Sequence, residues 1–211
     1  MIWRVANLTW TNAGHGVRVL YFIDFEASSL YKGSFPVEVA WVAEDGVGES
    51  HLIRPAPGWT EWSPASERIH GISRSRLEAE GEDHLAVARR VLEVLHPDRA
   101  VVFSDNPAFD GFWLDMLLTA AGCFPIPRLL DAVKLNLGEC AALEAGIAAP
   151  PVTPDDHRRL RVARDRASVI IGNAEGAHER EHTHRALDDA TQLWRVWRDV
   201  RDAVARALSG T

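Results

Sequence analysis

The sequence predicts an α/β fold, a mixed sheet with helices packed on it, and two observations carry the prediction. Three β-rich apolar segments come first: Val17–Glu26, Val37–Ala43 and His51–Pro55, the last two separated by the turn-rich "EDGVGE". From residue 82 onward, segments of helical periodicity alternate with short apolar strands. Strands followed by such alternation imply helices laid on a sheet that is partly antiparallel and partly parallel.

Residues 1–16 carry Asn7, Asn12, Gly14 and Gly16 with little periodicity, and read as an N-terminal extension or an extra edge strand. Residues 17–211 read as one domain. Val17–Glu26 reads as a central strand, and with the next two it forms a meander. Residues 56–65 hold Pro57, Gly58 and Pro64 and read as a loop. Glu82–Leu95 places Leu85, Val87, Ala88, Val91, Leu92 and Leu95 at helical spacing, and Pro97 stops it. "AVVFS", 100–104, is a short buried strand, and Phe109–Ala121 is a helix that Gly122 ends. "PRLLDAV" reads as a further strand and Gly138–Ala145 as a helix broken by "APPVTP". Residues 156–182 are charged and poorly patterned. From Arg185 to Leu208 runs an amphipathic helix, with Leu193, Trp194, Trp197, Val200 and Val204 in one stripe.

The formal net charge of −7 argues against a broad non-specific duplex binder, which needs a basic surface. It leaves room for a small nucleic-acid site in which divalent cations sit between carboxylate and phosphate. The N-terminal segment lacks the basic start and apolar run of a secretion signal, and no stretch is long and apolar enough to span a bilayer. Cys123 and Cys140 therefore read as buried thiols, and a cytosolic, non-membrane protein is expected.

"YFIDFEASSL", 21–30, ends an apolar strand on two acids, Asp24 and Glu26, that a strand turns to the same face. "SDNPAFDGFWLDML" puts Asp110 near a helix start just after the strand 100–104, and "HTHRALDDA" puts His184 five residues before Asp189. The first two segments lie at or after the C-terminal ends of strands, where ligand sites of open α/β sheets collect. Acids gathered at one sheet edge repel each other unless cations neutralise them, and all-oxygen ligands favour Mg²⁺ or Mn²⁺ over zinc. Two such ions about 4 Å apart clamp a phosphodiester undergoing in-line attack, and a nearby histidine can take a proton from the attacking water.

Asp24-x-Glu26, Asp110 within "NPAFD", and His184-x₄-Asp189 resemble, in order and spacing, the three motifs of the DEDDh 3′→5′ exonucleases. "RIHGIS", 68–73, is similar to that family's "HGI" segment, so the resemblance covers about residues 17–208. It implies an RNase H-like fold with a mixed five-stranded sheet flanked by helices. It further implies a 3′→5′ exonuclease that hydrolyses single-stranded RNA or DNA from the 3′ end to nucleoside 5′-monophosphates with two divalent cations. Asp24 would bridge both ions, Glu26 and Asp189 would complete one site, Asp110 would serve the other, and His184 would be the general base. Ala27, Ser28, His70, Asn106, Phe109 and Trp62 stand as candidate substrate contacts, and a homodimer as the candidate assembly.

The chain departs from the family where Asp105 replaces a frequent histidine, where Pro107 follows Asn106, and where Asp188 stands beside Asp189. His182 is a rival base. His70 either lines the site or caps a turn, and Phe109 beside Asp110 also reads as core. Trp59 and Trp62 either cover a helix or stack on a base. Arg158, Arg159, Arg161, Arg164 and Arg166 either meet phosphates or form a solvated face. Two rival functions share these residues: a binding module without catalysis, and a small-nucleotide phosphohydrolase with a closed pocket.

Overall fold

The computed structural model describes residues 18–145, 153–178 and 184–209. Residues 1–16 and His182 lie outside them. The described residues fall into two compact units, one of 18–131 with 184–194 and the other of 132–178 with 195–209.

In the first unit, β1 (Val19–Ala27), β2 (Pro36–Ala43) and β3 (Gly48–Arg54) form the expected antiparallel meander. The helices α1 (Pro64–His70) and α2 (Arg74–Glu80) follow, then β4 (Glu82–Asp83), α3 (His84–Leu95), β5 (Ala100–Ser104), α4 (Pro107–Ala120) and β6 (Leu129–Asp131). The sheet order is β4-β3-β2-β1-β5-β6, with β5 parallel to β1 and β6 parallel to β5. β1 is thus interior, as its apolar sequence requires.

The sheet has six strands among the described residues, not five. The extra one is β4, where Ile53 pairs with Glu82 and Arg54 with Asp83. Helical periodicity alone extends the following helix back over those two residues. Asp83 instead caps that helix, accepting from the Leu85 and Ala86 N–H groups at 3.0 and 3.3 Å.

Alternation along β1 decides what each face carries. Ile23, Phe25 and Ala27 join Val87, Ala88, Val91 and Leu95 of α3 and Trp113, Leu114, Leu117 and Leu118 of α4 in one buried cluster. Leu20 and Phe22 begin the opposite face, and Asp24 and Glu26 continue it. Helix α7 (Ala186–Ser209) opens over that face, and Ala186 and Ala190 are fully buried there. Along the hairpin between β2 and β3, the Trp194 indole N–H reaches the Glu44 carbonyl at 3.1 Å.

The second unit contains α5 (Ala132–Ala145), α6 (Pro154–His178) and the later turns of α7. Its core is Cys140, Ala167, Ala174, Val196, Val200 and Val204, and the Trp197 indole donates to Glu139 at 3.1 Å. The segment without clear pattern is therefore mostly a 25-residue helix whose buried stripe is alanine. No helix among the described residues is long and apolar enough to cross a membrane.

Candidate active site

Each acid is placed by a different element. Asp24 and Glu26 stand on β1, where Asp24 is opposite Ala40 and Glu26 opposite Glu38 across the antiparallel pair. Asp110 lies in the first turn of α4. That helix starts where Asn106 takes the N-cap position and Pro107 follows, its ring pre-set for helix and its missing N–H no loss there. Asp189 lies in the first turn of α7.

These elements converge on two overlapping groups. Carboxylate oxygens of Asp24, Glu26 and Asp189 all lie within 4.8 Å of one another, and so do those of Asp24, Asp105 and Asp110. Asp24 belongs to both. Asp105, noted in the sequence only as a departure, is the fifth acid of the cluster; its exposed position just after β5 brings it beside Asp24.

Burial and mutual repulsion hold protons on Asp24, Glu26 and Asp110. Burial pushes Asp24 well above the usual carboxylate range, and the charges of Asp110, Glu26, Asp189 and Asp105 push the same way. Glu26 rises to about 8 through burial first, then Asp189 and Glu38, with the Arg185 guanidinium opposing. Asp110 rises to about 7 through burial, against a hydrogen bond donated by the Ser104 hydroxyl. Sequence reading missed Ser104, since a serine ending a strand is an ordinary turn residue. A cluster that resists its own ionisation fits hard divalent cations, which carry the charge the carboxylates lack and take all-oxygen ligands.

His184 is exposed, two residues before α7, with its backbone in the left-handed region at φ 49°. Among non-glycine residues, histidine is one of the few enriched there.

The remaining candidates divide. His70 ends α1 and is buried. Its Nδ1 accepts from the Ile72 N–H at 3.0 Å, so it caps the turn, and burial lowers its pKa. The Ala27 backbone works against that lowering, and the His70 Nε2 makes no hydrogen bond of good geometry. Ala27 and Ser28 are buried, and the Ser28 hydroxyl accepts from the Phe35 N–H at 3.0 Å. Asn106 is exposed, and its carbonyl accepts from Phe109 and Asp110. Phe109 is 44% exposed rather than core, because Asp110, Trp113 and Leu114 take the inward positions of α4; its ring lies 5.7 Å from that of Trp113. Trp62 donates to Glu67 at 2.7 Å and packs on Phe35, with the Arg74 guanidinium over its ring. On α6 all five arginines are exposed, and Arg158 pairs with Asp155.

A mixed six-stranded sheet, central β1 between an antiparallel and a parallel neighbour, and helices on its faces make this an RNase H-like exonuclease fold. Escherichia coli exonuclease I in complex with a dT13 oligonucleotide superposes with a TM-score of 0.61 at 17% identity, covering 92% of this chain and 43% of that one. The zinc-bound E. coli exonuclease I–ssDNA complex gives 0.56 at 18%, over 92% and 41%. The moderately thermophilic exonuclease I from Methylocaldum szegediense gives 0.54 at 18%, over 92% and 43%. The chain thus spans less than half the length of these neighbours, and at such identity the likeness is one of fold. No family model matches the chain, and no curated protein does.

Proposed function

We propose that this protein is a divalent-metal-dependent 3′→5′ exonuclease that shortens single-stranded nucleic acid and releases nucleoside 5′-monophosphates. The observation that carries the reading is the pair of carboxylate groups sharing Asp24 at the end of an interior strand. The dT13 and ssDNA complexes among the neighbours favour a single-stranded 3′ end as substrate. Residues 17–211 stand in this proposal as one exonuclease domain, in a cytoplasmic protein that gel filtration can test for a homodimer.

Asp24, Glu26 and Asp189 would hold one Mg²⁺ or Mn²⁺ ion, and Asp24 with Asp110 and Asp105 the other. When bound, such ions neutralise the carboxylates and stabilise charge on the scissile phosphodiester. His184 takes the proton of the attacking water at an imidazole nitrogen, and its exposed position lets it pass that proton to solvent. Asn106 and Phe109, both exposed beside Asp110, would meet the terminal nucleotide.

The test is an incubation with Mn²⁺ and 5′-labelled single-stranded DNA, RNA and dinucleotides, resolved by length. A ladder shortening from the 3′ end, with 5′-monophosphates released, is the expected result, and the favoured polymer is read from the rates. Binding without shortening would leave a catalytically inactive binding module.

A further inference from the structure

We infer that Glu38 and Arg185 form a clamp that sets the positions of Asp189 and His184, making both positioning residues for the proposed reaction. Glu38 is an acid in the middle of an otherwise apolar strand and is 1% exposed. Its carboxylate is fully engaged. Arg185 donates from Nε to Oε2 at 3.0 Å and from Nη2 to Oε1 at 2.6 Å, and the Ser50 hydroxyl donates to Oε1 at 3.0 Å. The fourth donor is the backbone N–H of Ala186, at 3.2 Å from Oε2.

That fourth bond gives the cluster its consequence. Ala186 is the first residue of α7, and the Arg185 carbonyl accepts from the N–H groups of Asp188 and Asp189. Arg185 is therefore where the helix begins. The opening N–H groups of a helix have no partner within it. Here one comes from a strand far away in sequence, and the same carboxylate grips the side chain of the residue before. A planar guanidinium in a two-point fork leaves little rotational freedom. Side chain and backbone held together fix both the height and the rotation of the first turn, which carries Asp189. His184 is the residue immediately before Arg185, so its backbone is anchored by the same fork. Glu38 also stands directly across from Glu26 in the strand register. The clamp thus ties the acid of β1 and the acid of α7 to one reference point. A buried ion pair adds little net stability over apolar packing, so its effect is expected in geometry first.

The inference rests on the exonuclease reading for its kinetic readout and on Mn²⁺ affinity for an independent one. Arg185→Lys keeps the charge and removes the fork; Glu38→Gln keeps the shape and one acceptor. Each variant and the native chain would be measured for kcat and KM on a 5′-labelled single strand, for Mn²⁺ binding by electron paramagnetic resonance of the free ion, and for melting. In folded variants kcat and Mn²⁺ affinity are expected to fall about 10–100-fold, the range for groups that orient metal ligands. KM should stay roughly constant, since the nucleotide contacts lie elsewhere. Native kcat and native Mn²⁺ affinity in either folded variant would overturn the clamp. So would losses that follow the unfolded fraction, or failure of both variants to fold, which would make the pair purely structural. Absence of turnover in the native chain would defeat the exonuclease reading, and the Mn²⁺ comparison would then decide the clamp alone.

Discussion

Asp24 is the residue on which both carboxylate groups depend, and its replacement separates fold from chemistry. Asp24→Asn removes a charge that four neighbouring acids disfavour. The metal-free variant is expected to melt at or above the native temperature while turnover is abolished; substantial turnover in a folded, Mn²⁺-loaded variant would place the site elsewhere. For His184, loss of a general base costs about 10²–10⁴-fold. His184→Ala should lose that much in kcat and His182→Ala much less, a ranking that single-turnover rates would check. Asp24, Glu26, Asp110 and Asp189 were legible because each interrupts a pattern, at the end of an apolar strand or in a helix first turn, whereas Asp105, in the loop between β5 and α4, carries no such signal. Glu38 was not legible, because one acid within "PVEVAWV" reads the same whether it faces water or is buried. Only the register with β1 and the return of Arg185, 147 residues later, give it a partner.

Among elements, legibility followed length and the size of the buried side chains. α3 and α7 bury large apolar residues at regular spacing and could be read directly. α1 and α2 span seven residues each, less than two full repeats of a helical pattern, and carry only Ser63 and Ser73 caps as signals. α6 escaped because alanines form its buried stripe and charge fills the rest. β4 escaped because two residues have no period. The segment before α1 illustrates the same point. Trp62 reads as a loop residue that either covers a helix or stacks on a base, and it packs on the cluster of Phe35, Val37, Ile72 and Leu77. Trp62→Ala should therefore cost about 1–3 kcal/mol in denaturant unfolding. A rise in KM of roughly ten-fold on single strands, measured below the melting range, would add base stacking to that structural role. An unchanged KM would leave packing as its whole role.

For the whole molecule, the cluster makes stability depend on pH in a way opposite to a salt-bridged acid. Asp24, Glu26 and Asp110 have raised pKa values in the folded chain, so the native metal-free protein keeps protons that the unfolded chain has released. That contribution is full below the ordinary carboxylate range near pH 4 and is lost as pH rises through about 7 for Asp110 and about 8 for Glu26. Glu49 and Asp199, held low by Arg90 and by His178 and Arg198, oppose this only at acid pH. Melting in EDTA should therefore fall from pH 6 to pH 9. Mn²⁺ or Mg²⁺ should raise the melting temperature more at pH 8 than at pH 6, because the ions replace the protons. A flat profile in EDTA, with no response to either ion, would remove the metal cluster from the account.

The turn at Glu44–Val47 sets a limit on how this surface can vary. Gly46 and Gly58 are both exposed, and both hold left-handed backbone, at φ 88° and 92°. A methyl group at Gly58 would meet nothing within 4 Å, whereas at Gly46 it would lie 2.7 Å from the Trp194 ring. Backbone strain is shared, so a comparison of Gly46→Ala with Gly58→Ala isolates the steric part. Gly46→Ala should lower the melting temperature further, because Trp194 must leave the turn and release Glu44. In a saturation library, this hairpin tip would therefore score as intolerant as an interior strand, and engineering that grafts a tag or a loop onto the chain would do better at residue 58.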